Sequence, residues 1–288
     1  MKYRFIEKQQ QQYSVGRLCV MLRISRSGYY VWKRRQPSQR EQSNQALIDH
    51  IRRIYKLSRK TYGSPRVYAQ LKKQGYPCNK KRVARLMRQD GLKGQRKYRK
   101  VMTTNSKHNF PVAPNVLNRE FQAEKPNQKW VADITYIPTQ EGWLYMAGVL
   151  DLFSRKIVGW DMASQMDATL VENALRMALY QRQPGRGLLH HSDRGSQYAG
   201  HQIRNILAAN QVQVSMSGKG NCYDNAVMES FWGTLKNEWV HHQKYQTRSQ
   251  ARTDIFSYIE GFYNTIRLHS TLGYLSPAEF EAKYKPSP

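Results

Sequence analysis

The sequence predicts an α/β protein in which a mixed five-stranded sheet, flanked by helices, follows a basic all-α region. Three observations lead there. Charge is lopsided: residues 1–120 hold 30 Lys and Arg against 5 Asp and Glu, whereas residues 121–288 hold 17 against 15. Apolar residues recur with a helical period up to about residue 90 and with strand-like alternation beyond Pro126. An acid, Asp133, stands inside one of the alternating runs, where a charge is costly unless paired or bound to a cation.

Of the net charge of +27 over 288 residues, +25 therefore falls in the first 120. Such an excess goes beyond what solubility requires and predicts a polyanionic partner, nucleic acid. Cys19, Cys78 and Cys222 are scattered without C-x-x-C or ligand-spaced histidines, which excludes a zinc module or disulfide framework and suits a reducing cytosol. Residues 1–12 (MKYRFIEKQQQQ) lack the apolar core of a signal peptide. The longest apolar stretch, 143–153, is broken by Asp151 and is too short to cross a bilayer. A soluble, cytoplasmic, nucleoid-associated protein is expected, with no membrane partner.

The elements follow in order. Val15, Leu18, Cys19 and Leu22 share a helical face; residues 25–28 break it and 29–35 (YYVWKRR) resume it, so residues 1–40 read as a short helical DNA-binding or interaction segment. Residues 34–44 are polar and read as a linker. From Ala46 a helix runs to about Leu57, and Ser64 with Pro65 reads as the cap and first residue of the next, which carries Val67 and Leu71. Residues 80–91 (KKRVARLMRQDG) form a basic amphipathic helix with Val83, Leu86 and Met87 inward. This order over 44–100 is that of a helix-turn-helix or winged-helix-like domain. Its Arg82, Arg85 and Arg88, and Arg96, Lys97, Arg99 and Lys100 towards its end, are the expected DNA contacts. Residues 101–122 read as a linker.

WVADITYI (130–137), 143–153 and 156–162 read as three antiparallel strands. A helix over 168–180, a short strand over 188–192, a helix over 202–210, a strand over 212–216 and a helix over 226–239 complete the order β-β-β-α-β-α-β-α. That is the order of a ribonuclease-H-like sheet, and the core spans 123–285 with its helical C-terminal extension. In such a sheet the first and fourth strands are neighbours. Asp133 in the first and Asp193, ending the fourth, then meet across 60 positions. Glu229 projects from the last helix, capped by Asp224 or Asn225, away from a side crowded by Val227, Phe231, Trp232, Leu235 and Trp239. Lys236 lies seven residues on, almost two whole turns, on the same surface. Glu238 falls on the apolar side and is the weaker third acid. Lys219, Asn221, Tyr223 and Asn225 form a polar approach, with Lys219, Asn225 and Lys236 as candidate DNA contacts. Trp130 and Trp143 read as core aromatics, and the histidine pairs 190–191 and 241–242 as structural. Residues 263–277 either contact DNA or close the core.

The segments PNQKWVADITYI, GWLYMAGVLDLFSRKIVGW, HHSDRGSQY, SGKGNCYDNAVMESFWGTLKNE and YNTIRLHSTLGYLSPAEF, with MKYRFIEK and YGSPRVYAQL upstream, carry a resemblance. The whole chain resembles the OrfB-type transposases of the IS-three family of bacterial insertion sequences, and its second half resembles the retroviral-integrase-type DDE core. The resemblance implies Asp133, Asp193 and Glu229 as the catalytic, metal-binding acids and Lys236 as their basic companion. It also implies DNA cleavage at terminal inverted repeats, then strand transfer into target DNA through a circular intermediate. The His-His-Cys-Cys zinc module of retroviral integrases is missing. Oxygen-only ligands suit two Mg²⁺ or Mn²⁺ ions. An OrfA product, as fusion or partner, and a homo-oligomer on DNA are implied partners. A non-catalytic DNA-binding repressor and a ribonuclease-H-like nuclease are the alternative readings.

Overall fold

The computed structural model describes residues 2–95, 112–218 and 221–284, and only the backbone of Cys222. Lys219, Arg96, Lys97, Arg99, Lys100 and residues 101–111 of the expected linker lie outside the described residues. The chain divides into two compact units, Met1–Arg52 and Arg53–Pro288.

The first unit holds α1 (Lys2–Gln9), α2 (Val15–Met21), α3 (Arg26–Arg34) and most of α4 (Gln39–Leu57). Ser14 and Ser25 cap α2 and α3, each hydroxyl accepting from a backbone N–H three residues on. Ile6, Leu18, Cys19 and Tyr29 form the core. Helix α1 has no counterpart in the sequence reading, because Ile6 is its only buried residue and one apolar position has no period. The polar linker expected over 34–44 is also corrected: α4 begins at Gln39. The Ser38 backbone and hydroxyl both donate to the Glu41 carboxylate, and the Glu41 N–H donates back to Ser38 Oγ, a capping box that starts the helix without apolar residues.

In the second unit, α5 (Ser64–Lys73) and α6 (Lys80–Gln89) bury Val67, Leu71, Val83, Leu86 and Met87 as expected. Gly63, not Ser64, caps α5, and no side chain bonds there; Asn79 caps α6. The sheet comprises β1 (Lys129–Thr139), β2 (Gly142–Asp151), β3 (Ile157–Ala163), β4 (Leu189–Ser192) and β5 (Gln213–Met216) in the order β3-β2-β1-β4-β5. β1–β2 and β2–β3 are antiparallel; β1–β4 and β4–β5 are parallel. Helices α7 (Ala168–Arg182), α8 (Ser196–Ala199) and α9 (His201–Ala209) share a core with Trp130, Ala132, Ala147 and Val149 on one face. Gly159 lets α7 approach, since a Cβ there would lie 2.2 Å from the Ala174 carbonyl oxygen. The alternate face carries α10 (Ala226–Glu238) and α11 (Arg248–Tyr258), and α12 (Pro277–Ala282) ends the described chain.

Residues 263–277 close the core. The Asn264 amide accepts from Ile157 N–H and donates to its carbonyl, pairing with the exposed edge of β3 as a further strand would. This segment and the end of α10 receive the helices before the sheet. Tyr62 Oη accepts from Leu268 N–H and donates to Ile266 O, Arg59 lies 4.6 Å over the Trp239 ring, and Arg66 pairs with Glu238. Trp130 is fully buried, but Trp143, near the start of β2, is 48% exposed and meets the Tyr136 ring edge-on, so it is not a core aromatic.

Candidate active site

Parallel pairing of β1 with β4 stops at Val131 and His191, so β1 runs on past the end of its neighbour. Asp133 lies on that overhang, and Asp193 follows the last residue of β4. Directly across the hairpin from Asp133 is Gly148. A Cβ at Gly148 would come within 2.7 Å of Met228 and 2.9 Å of Trp232, so its bareness is what lets α10 lie against the sheet here. Trp232 crosses that gap and donates its indole N–H to Asp133 Oδ2 at 3.1 Å, while the Ile134 N–H donates to Oδ1 at 2.9 Å. Helix α10, which carries Glu229 less than one turn before Trp232, is thereby fixed to the strand that carries Asp133.

Asp133 feels both of the other acids. Burial above all, and then the negative charge of Asp193, pushes the Asp133 carboxyl up to about 7; Glu229 acts in the same sense, against the two hydrogen bonds. Among the described residues no three His, Cys, Asp or Glu side chains are closed into a ready-made metal cage. Asp193 Oδ1 accepts from Gly195 N–H at 2.9 Å, and Arg194 Nε donates to Ser217 O, tying the turn after β4 to the end of β5.

The approach to α10 is anchored by Asp224, buried although the sequence offered it only as a cap. It accepts from Arg119 Nε, Asn115 Nδ2 and Gly218 N–H, and these bonds outweigh burial and hold its carboxyl below the usual range. Beside it His191 is neutral, lowered to about 4 chiefly by burial. Ser215 Oγ accepts from Val116 and Leu117 N–H, so its own hydrogen goes to His191 Nδ1, and Nε2–H of the ring donates to Ser217 Oγ. His191 thus ties β4 to β5 and to the segment after it.

Asn225 departs from expectation. It is 5% exposed, and its amide donates to Ala132 O, so it is a joint between α10 and β1 rather than a surface for DNA. Its side chain does not cap α10 either. On α10 Met228, not Val227, is buried with Phe231, Trp232 and Leu235. The Lys236 ammonium lies 4.5 Å over the Tyr136 ring, on the β1 side of the helix. Glu238, the weaker candidate acid, is engaged by Arg267 and Arg66 away from the other acids. On α6, Arg85 and Arg88 are exposed and Arg82 is half-buried. Trp232 and Gly148 were missed as site residues. A tryptophan three residues after a candidate acid, and a glycine inside a strand, are the signals that point to them.

An integrase core domain model matches residues 123–222, a second integrase core model matches 210–277, and an HTH-like domain model matches 42–100. The chain is 48% identical over 267 residues to an uncharacterized 31 kDa protein of insertion element IS600 from Shigella sonnei, covering 93% of this chain and 98% of that one. It is 43% identical over 285 residues to transposase InsF for insertion sequence IS3A of Escherichia coli (strain K12), covering 98% and 99%. A simian T-cell lymphotropic virus intasome structure aligns over 74% of this chain and 70% of its own, with a TM-score of 0.49 and 12% identity.

Proposed function

The chain belongs to the IS3 family of insertion-sequence transposases, and from that premise we propose that Asp133, Asp193 and Glu229 are its catalytic acids. It is a DNA transposase with an integrase core, a polynucleotidyl transferase, and its HTH-like domain is a DNA-binding one. The reaction we assign is cleavage at the terminal inverted repeats of the element followed by transfer of the 3′ end into target DNA.

One observation carries the assignment of the acids: Asp133 lies just past the paired part of β1 and Asp193 just past the end of its parallel neighbour β4, with α10 pinned to β1 by the Trp232–Asp133 hydrogen bond. The donor set fits a hard divalent cation. All three groups are carboxylates, and the field of Asp193 and Glu229 on Asp133 is the repulsion that a bound cation relieves. Each Asp133 oxygen takes one protein donor, which orients the carboxylate and leaves lone pairs for a cation. Bound there, two Mg²⁺ or Mn²⁺ ions would supply Lewis acidity at the attacking and leaving oxygens of an in-line displacement. Lys236, on the β1 side of α10, would meet a DNA phosphate near the acids. Arg82, Arg85 and Arg88 would bind backbone phosphates of the end repeats, and the further basic residues Arg96, Lys97, Arg99, Lys100 and Lys219 would extend that grip. A homo-oligomer on DNA and an OrfA product as fusion or partner complete the proposed assembly.

The test uses a duplex carrying the element's end repeat, with Mg²⁺. Asp133→Asn, Asp193→Asn and Glu229→Gln should each reduce cleavage and strand transfer to background while retaining duplex binding. Cleavage by any one of the three at the wild-type rate would overturn the assignment.

A further inference from the structure

The arginines of α6 have been assigned to phosphates, which leaves the reading of bases without a residue. The first unit holds a pair of helices suited to it. Helix α2 ends in a Schellman turn: Ile24 N–H donates to Cys19 O and Arg23 N–H to Val20 O, with Arg23 at φ 51°. Ser25 then starts α3 by accepting from Gly28 N–H, so only residues 22–25 separate the two helices. A connection of that length is the hallmark of a helix-turn-helix. Helix α1 braces the pair from behind. Gly28 lets Tyr3 lie across α3, since a Cβ there would come within 2.7 Å of the Tyr3 hydroxyl. The Tyr3 ring stacks on Trp32 at 5.6 Å, and Lys2 Nζ donates to the Leu22 carbonyl at the end of α2.

With Gly28, Tyr29 and Trp32 turned to that support, a rotation of about 100° per residue puts Arg26, Ser27, Tyr30, Val31 and Arg34 on the opposite side of α3. Arg26, Ser27, Val31 and Arg34 are exposed, and Tyr30 is half-buried. Two features of this face match base edges and not phosphates alone. Val31 is 70% exposed in the middle of it, an apolar group among basic ones, as contact with a thymine methyl requires. Arg26 lies 5.9 Å over the Tyr30 ring, which steadies a planar donor fork of the kind that pairs with guanine O6 and N7. Charge favours DNA over a protein partner. Residues 1–40 carry 10 Lys and Arg and one acid, Glu7, and neither α2 nor α3 contains an acid.

We propose that α2 and α3 form a second DNA-binding module, in addition to the HTH-like domain. Helix α3 enters the major groove of the end repeat and reads bases through Arg26, Val31 and Arg34. The inference rests on the recognition of end repeats proposed above.

The test measures affinity of the full-length protein by fluorescence anisotropy for an end-repeat duplex and for a random duplex of equal length. Arg26→Lys and Arg34→Lys keep the charge and lose the fork. Each should weaken end-repeat binding about tenfold while random-duplex binding stays within about twofold, which also shows that the variant is folded. Replacing thymine by uracil in the end repeat should cost the wild-type protein more affinity than it costs Val31→Ser. Equal losses on both duplexes at an unchanged thermal midpoint would overturn the proposal, because the arginines would then grip phosphate only. Unchanged binding to both would overturn it too, and a shift in sedimentation of Val31→Ser in place of any loss would assign the face to a protein interface. A wild-type protein that does not prefer the end repeat would instead overturn end recognition itself, and this inference with it.

Discussion

Replacing Glu238 by Ala should unfold the protein far more readily than its place on a helix surface suggests. Its two carboxylate oxygens accept from Arg267 Nη2 and Nε, both at 2.7 Å, from Arg66 Nη1 at 3.1 Å and from Tyr258 Oη at 3.3 Å. Arg267 is 4% exposed, and its other contacts are neutral, His269 Nε2 at 3.3 Å and the Tyr263 ring beneath it. Truncating Glu238 leaves that guanidinium enclosed without a counter-charge, which costs about 3–5 kcal/mol. Arg66, more exposed, turns to water and adds at most about 1 kcal/mol. With a urea slope of about 2–3 kcal/mol/M, the midpoint should fall by roughly 1–2 M. Adding Arg267→Met removes the stranded charge, so the double variant should recover part of the loss. The pH dependence has a defined sign. Burial raises the Glu238 carboxyl, but the bonds and charges of Arg267 and then Arg66 outweigh it and hold it below its ordinary value. Its contribution is thus complete above the ordinary carboxylate range and is lost as pH falls through the lowered value. A midpoint shift under about 0.3 M, or a double variant no better than the single one, would refute this reasoning.

Trp232→Phe keeps an aromatic side chain but removes the N–H from Asp133 and part of the packing over Gly148; cleavage should fall about tenfold in a gel assay, beyond what the accompanying drop in the urea midpoint explains. Gly148→Val drives a branched side chain into Met228 and Trp232, so it should cost about 1–3 kcal/mol by denaturation and impair cleavage beyond that loss of folded protein. Arg85→Ala and Arg88→Ala should weaken duplex binding alike for end-repeat and random DNA. Each should reduce the slope of log affinity against log salt by about 1 in fluorescence anisotropy.

Much of the fold could be read from the chain because its signals are local. The strands announce themselves by alternation around Ala132 and Ile134, and α6 by Val83, Leu86 and Met87 at helical spacing. What escaped depends on partners far away in sequence. Helix α1 owes its place to one buried isoleucine, and the attachment of Arg66 to Glu238 spans 172 positions. In the site, Asp133 stood out as a charge inside an apolar strand. Trp232 passed for an ordinary core aromatic, since an indole N–H shows its polar role only when its helix has docked. Asn225 was misplaced for the converse reason: a polar residue in a loop reads as exposed until the Ala132 carbonyl beneath it is seen.

The linear order of the parts has a consequence for synthesis. Helices α1 to α6 leave the ribosome first, β1 and β4 next, and α10 well after them. Parallel strands joined by so long a crossover pair slowly, and the gap above Gly148 stays open until α10 arrives. A nascent or prematurely terminated chain would therefore lack Glu229, the proposed third acid, and also the Glu238 and Leu268 contacts that seat Arg66 and Tyr62. The HTH-like helices and the site would thus reach their final packing together, only once the C-terminal residues had been made.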